Sequence, residues 1–117
     1  METSLNILVV GRHEDIMETV LRLIHSQPGW IAQGAIANEE AIEKFKKQSF
    51  NLVLLGGGVD QHSENMLKTE FGLINSNCKV IRHYGGGSGL LFNEIREAMN
   101  NRFLAPDNLE SEPEIKI

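Results

Sequence analysis

One cysteine, Cys78, is all that the 117 residues contain. A lone thiol cannot close an internal disulfide, and a chain built without disulfides suits the reducing cytoplasm. Any apolar run near the roughly 20 residues of a membrane span is also missing. Met1-Glu2-Thr3-Ser4 lacks the basic flank and apolar stretch of a secretory leader. Positive charge is scarce and scattered, with 11 Lys and Arg against 16 Asp and Glu for a net charge of −5. Binding to a phosphate backbone needs a concentrated basic face, so nucleic acid is not an expected partner, and neither is a membrane. What is left is a cytoplasmic globular chain with room for one core.

The most informative stretch that is present runs Asn51-Leu52-Val53-Leu54-Leu55-Gly56-Gly57-Gly58-Val59-Asp60. A short apolar Val/Leu run fits a strand buried on both faces, as in a parallel sheet with helices on either side. Ligands and chemistry in such sheets collect beyond the carboxyl ends of the strands. Here that position is Gly56, which has no side chain.

Strands and helices alternate along the rest of the chain. Leu5–Val10 predicts a first strand ending at Gly11. A helix follows over 14–26, with Ile16, Val20, Leu23 and Ile24 as its apolar stripe and Met17 and Leu21 widening it. Pro28-Gly29 breaks it, and Trp30–Ala37 reads as a peripheral second strand. Asn38 is an expected N-cap for a helix through Gln48 that buries Ala41, Ile42 and Phe45. A third helix is predicted over 63–74, with Met66, Leu67, Phe71 and Ile74 as apolar contacts. A fourth strand follows over 78–83, then a last helix over 90–101 burying Leu91, Ile95 and Ala98 or Met99. Right-handed crossovers give a parallel sheet, with an expected strand order 2-1-3-4. The fold class is therefore α/β, a three-layer α/β/α sandwich with a short parallel sheet. Residues 1–102 form the domain, and 103–117 an acidic tail in which Glu114-Ile115-Lys116-Ile117 alternates like an edge strand.

With these pieces placed, the first hundred residues resemble the receiver domain of bacterial two-component response regulators, a flavodoxin-like fold. The resemblance is carried by Asn6-Ile7-Leu8-Val9-Val10, Phe50-Asn51-Leu52-Val53-Leu54-Leu55, Lys79-Val80-Ile81 and the closing helix Leu91-Phe92-Asn93-Glu94-Ile95-Arg96-Glu97-Ala98. It implies a Mg²⁺ site of acidic residues after strand one and a phosphoacceptor aspartate ending strand three. It also implies a hydroxyl residue after strand four and a lysine after strand five. Carboxylates are needed because Mg²⁺ takes hard oxygen ligands and one oxygen must attack phosphorus. Here the acidic pair falls on Gly11 and Arg12, the phosphoacceptor on Gly56 and the hydroxyl position near Tyr84. The family's fourth helix and fifth strand are missing between Tyr84 and Leu90, so the chain reads as a shortened, degenerate receiver.

The implied function is a phosphorylation-independent signalling module that works by protein–protein contact, not an enzyme, with no cofactor or metal. Its partner is another protein or a second copy of itself. Without a fifth strand, strand four is a sheet edge that is too apolar to stay bare. A second subunit or the Ile115–Ile117 segment is expected to cover it, and Val80, Ile81, Arg82, Tyr84, Leu90 and Phe92 are the candidate interface. The alternative is a domain for small molecules, nucleotides or anions, in which Gly56, Gly57, Gly58, Gly86, Gly87 and Ser88 offer backbone amides and Arg12 adds charge. Neither glycine cluster matches a phosphate-loop or dinucleotide fingerprint, and tight turns explain them as well. His13, His62 and His83 are expected beyond neighbouring strand ends, though none is paired at a metal-ligand spacing.

Overall fold

The computed structural model describes residues 4–83 and 87–104, the last four of these in backbone only. Tyr84 and Gly86 from the candidate sites, and the segment 105–117 with its expected edge strand, lie outside the described residues. The chain runs β1 (Leu5–Val10), α1 (Glu14–His25), β2 (Trp30–Ala35), α2 (Asn38–Lys47), β3 (Leu52–Leu55), α3 (Gln61–Ile74), β4 (Lys79–Arg82) and α4 (Ser88–Leu104). The strands form one parallel sheet in the order β2-β1-β3-β4. The alternation read from the sequence gives the observed topology.

Two cores lie on the two faces of the sheet, and β3 shows why its sequence is uniformly apolar. Leu52 and Leu54 enter the core shared with α1 and α4, whereas Val53 and Leu55 enter the one shared with α2 and α3. All four are buried, and each contributes about 1.5–3 kcal/mol by leaving water. On the second face Phe45 and Phe71 meet at 4.4 Å between ring centroids. On the first, Trp30 packs edge-on against Phe92 at 6.1 Å, with the Arg96 guanidinium 5.6 Å above the indole. Trp30 thus joins the second strand to the last helix.

Several boundaries differ from expectation for identifiable reasons. Helix α3 begins at Gln61, earlier than predicted, because Asp60 is its N-cap and accepts the Ser63 N–H at 2.8 Å. Strand β2 stops at Ala35 because the next amide, Ile36 N–H, donates to Glu40 Oε1 at 2.9 Å. Asn38 is not the N-cap of α2. Ala37 occupies that position, and the Asn38 side chain is engaged elsewhere. Ile16 leaves the predicted stripe of α1: it is 61% exposed, while Met17 and Ile24 are buried. The stripe is wider than the strip of sheet that α1 covers. Ile74, at the end of α3, is likewise exposed.

Among the described residues no helix is long and apolar enough to cross a membrane.

Candidate functional site

The carboxyl ends of β1, β3 and β4 bring Gly11, Gly56 and His83 side by side. Gly56 N–H donates to Val10 O at 2.8 Å and His83 N–H to Leu55 O at 2.9 Å. Leu55 is in register with Arg82, so extending the ladder one residue sets Gly56 against His83. The residue facing the third-strand position is therefore an imidazole, one residue before Tyr84.

Three polar clusters surround this point. In the first, Arg12 extends across the β2–α2 connection. Its Nη1 donates to Ile36 O at 2.8 Å and its Nη2 to Asn38 Oδ1 at 2.6 Å. Asn38 Nδ2 then donates to Ser63 Oγ at 3.0 Å. Ser63, a buried polar residue, also sits on the Asp60 cap. That cap holds the Asp60 carboxyl below its ordinary range, chiefly through the Ser63 N–H. The charge expected to meet a ligand is committed to carbonyl oxygens that tie β1, α2 and α3 together.

The second cluster belongs to Arg82. Its Nη1 donates to Gly56 O at 3.0 Å and its Nη2 to Val59 O at 2.7 Å. The same guanidinium meets Glu64 Oε1 at 2.7 Å, and Lys68 reaches the other oxygen at 2.8 Å. Hydrogen bonds from Lys68 and then Arg82 hold the Glu64 carboxyl below its ordinary range. Arg82 therefore clamps the glycine loop, and its side chain is only 14% exposed.

The third cluster is His83 with Glu94 on α4, Nδ1 to Oε1 at 2.5 Å. A carboxylate only accepts, so the contact assigns the proton to Nδ1. Sequence reasoning singled out His83 but not Glu94. The two lie eleven residues apart across a loop, a separation no local pattern marks.

The glycines now separate into distinct cases. Val59 N–H returns to Gly56 O at 3.2 Å, which makes the loop a turn. Among the described residues Gly29 is the glycine with positive φ, at 81°, so left-handed backbone does not demand glycine at 56–58. A Cβ on Gly56 would come no nearer than 3.4 Å to Val10 O, and one on Gly57 would meet nothing. Gly58 is the tight position, at 3.2 Å from Arg12 Cβ. The loop could carry side chains at two of its three positions.

A small cavity of about 60 Å³ is lined by Gly11, Arg12, His13, Gly56, Gly58 and His83. It has room for water but not for a nucleotide. A larger one of about 360 Å³ opens between α1 and α4 against Ile16, Val20, Leu23, His83 and Leu91. Of the predicted ligand residues, Gly87 reaches this second space, while Arg12, Gly56 and Gly58 line the first. Gly57 and Ser88 are exposed and line neither. Of the predicted interface residues, Val80 and Ile81 are half-buried and Leu90 is 48% exposed. No three His, Cys, Asp or Glu among the described residues could together hold a metal ion.

No protein-family model matches the chain, and no curated protein matches it in sequence. Solved structures do match in fold. The receiver domain of the hybrid histidine kinase CckA superposes with a TM-score of 0.60 at 14% identity, over 80% of this chain and 98% of that one. The signal receiver domain of an HD domain-containing protein from Pseudomonas fluorescens Pf-5 also gives 0.60, at 13% identity, over 86% of this chain and 98% of its own. The fold, with its sheet order 2-1-3-4, is that of a receiver domain in shortened form.

Proposed function

We propose that this chain is a signalling module of receiver type that works without phosphorylation, by contact with another protein. One observation carries the reading. The strand ends where the receiver resemblance calls for carboxylates hold Gly11, Arg12 and Gly56 instead, and Arg12 is bound to Ile36 O and Asn38. No carboxylate oxygen is thereby offered at Gly56 to attack a phosphoryl group, nor at Gly11 or Arg12 to bind Mg²⁺. A switch in such a module has to be driven by binding, through unequal affinity for two conformations. The test is incubation with acetyl phosphate and Mg²⁺, followed by intact-mass measurement. The expected result is an unmodified chain; an acid-labile phosphoryl adduct would overturn the reading.

The α1–α4 cavity favours a second reading, a small-molecule binding domain. Its about 360 Å³ falls within the range of sites for small ligands. A thermal-shift panel of phosphate, nucleotides and uncharged aromatic compounds separates the two readings. A saturable rise in melting temperature supports the ligand-binding alternative.

A further inference from the structure

The two edges of the sheet are treated differently. On β2, outward-facing backbone groups of Ala32 and Gly34 are occupied by side chains. His25 Nε2 accepts the Ala32 N–H at 3.0 Å, and Lys44 Nζ donates to Gly34 O at 2.6 Å. An edge blunted in this way does not recruit another strand. On β4, Lys79 and His83 donate their amides to Asn51 O and Leu55 O of the β3 side. Parallel pairing alternates, so the Val80 N–H and C=O point away from β3. Among the described residues no strand lies beyond β4.

The segment after α4 is poorly placed to supply that strand. The β3–α3–β4 crossover passes over the α2/α3 face, whereas α4 lies on the α1 face. A parallel strand reached through α4 and set beyond β4 would therefore close a left-handed crossover, an arrangement folds almost never adopt. An antiparallel one would have to enter at the carboxyl end of β4, while α4 delivers the chain to the other end of the sheet. Among the described residues, Leu73 and Ile74 on α3 and Leu90 on α4 are exposed large apolar side chains.

We propose that a second copy of this chain pairs antiparallel with β4 about a two-fold axis at Val80, each Val80 exchanging its N–H and C=O with the other. A closed symmetric pair of parallel-sheet edges must be antiparallel, and an axis at Val80 sets its outward-facing N–H and C=O against those of the second Val80. The proposal rests on the reading of this chain as a contact-driven module and names its partner.

Light scattering of the full chain over a concentration series tests it. The expected result is a dimer that Val80→Pro weakens about tenfold or more while leaving the circular dichroism unchanged. Proline there removes an outward N–H and no ladder bond. Val80→Lys is the second arm, should the proline variant unfold. In the wild-type dimer, the Val80 amide should exchange slowly and lose protection on dilution. A monomer at all concentrations would overturn the pairing, as would a dimer indifferent to both variants. So would a dimer abolished in the full chain by Ile115→Asp with Ile117→Asp, which would assign the edge to the tail. A monomer that takes no phosphoryl group sinks this proposal and leaves the signalling reading standing, whereas a phosphoryl adduct sinks that reading whatever the oligomeric state.

Discussion

Arg82 and Glu64 meet at 2.7 Å, and the same guanidinium nitrogen donates to Val59 O at 2.7 Å. A strand residue, a helix carboxylate and the turn after β3 are thereby joined through one planar group whose fork suits several acceptors at once.

Arg82→Ala should therefore loosen the glycine turn as well as remove an ion pair. Gly56 O and Val59 O would each lose a charged donor. The expected cost is about 1.5–3 kcal/mol, measured by urea denaturation, with the Gly57 and Gly58 amides exchanging faster. Lysine at 82 should recover only part of the loss, since a point charge cannot reach three acceptors in fixed directions.

Stability should fall on acidification through the carboxylates of Glu64, Asp60 and Glu40. Each is held below its ordinary value: Glu64 by Lys68 and Arg82, Asp60 by the Ser63 N–H, Glu40 first by the Ile36 N–H. For a group whose folded pKa is depressed, the unfolded chain binds more protons within the window between the two values. Stability then rises with pH there and is lost as pH falls through the folded pKa. The decline should begin near the ordinary values of 4.5 for Glu and 3.8 for Asp and deepen below them. Glu64→Gln should flatten the curve in this window, as read from melting temperature against pH.

Gly56→Ala and Gly34→Ala should differ sharply. At Gly56 the new methyl finds ordinary contacts and no positive φ, so the change should be neutral or stabilise by up to about 1 kcal/mol. At Gly34 it would lie 2.5 Å from Met17 Sδ. Overpacking of that kind costs about 1–3 kcal/mol, and Met17→Ala in the same chain should recover part of it. Denaturation midpoints of the three variants decide the matter.

Ile24→Ala and Ile16→Ala provide a test of which face α1 buries. Ile24 is fully buried and its truncation should cost about 2–5 kcal/mol. Ile16, at 61% exposure, should change stability by less than about 0.5 kcal/mol. Equal effects would contradict the orientation of the helix.

Much of the fold was legible in the sequence because it depends on local patterns. The uniform apolar run at 52–55 gave a strand buried on both faces, and Leu91, Ile95, Ala98 and Met99 marked the buried stripe of α4 at helical spacing. The errors fall where a side chain had two possible uses. Asn38 suited an N-cap, yet its amide is worth more between Arg12 and Ser63, a choice made by elements 25 residues apart. Ile16 fitted the stripe by period, but period does not say how wide a strip the sheet will cover.

By itself the sequence determined the alternation of strands and helices, the strand order and the absence of carboxylates at Gly11, Arg12 and Gly56. The first and last follow from residue identity and periodicity, and the order from the right-handedness of the crossovers that the alternation imposes. Tertiary structure alone decided that Arg12 and Arg82 spend their charge inside the fold, that His83 is paired with Glu94, and that a cavity of about 360 Å³ opens between α1 and α4. Those outcomes depend on which acceptors the packed sheet brings within 3 Å of a flexible side chain, and residues far apart in sequence supply them.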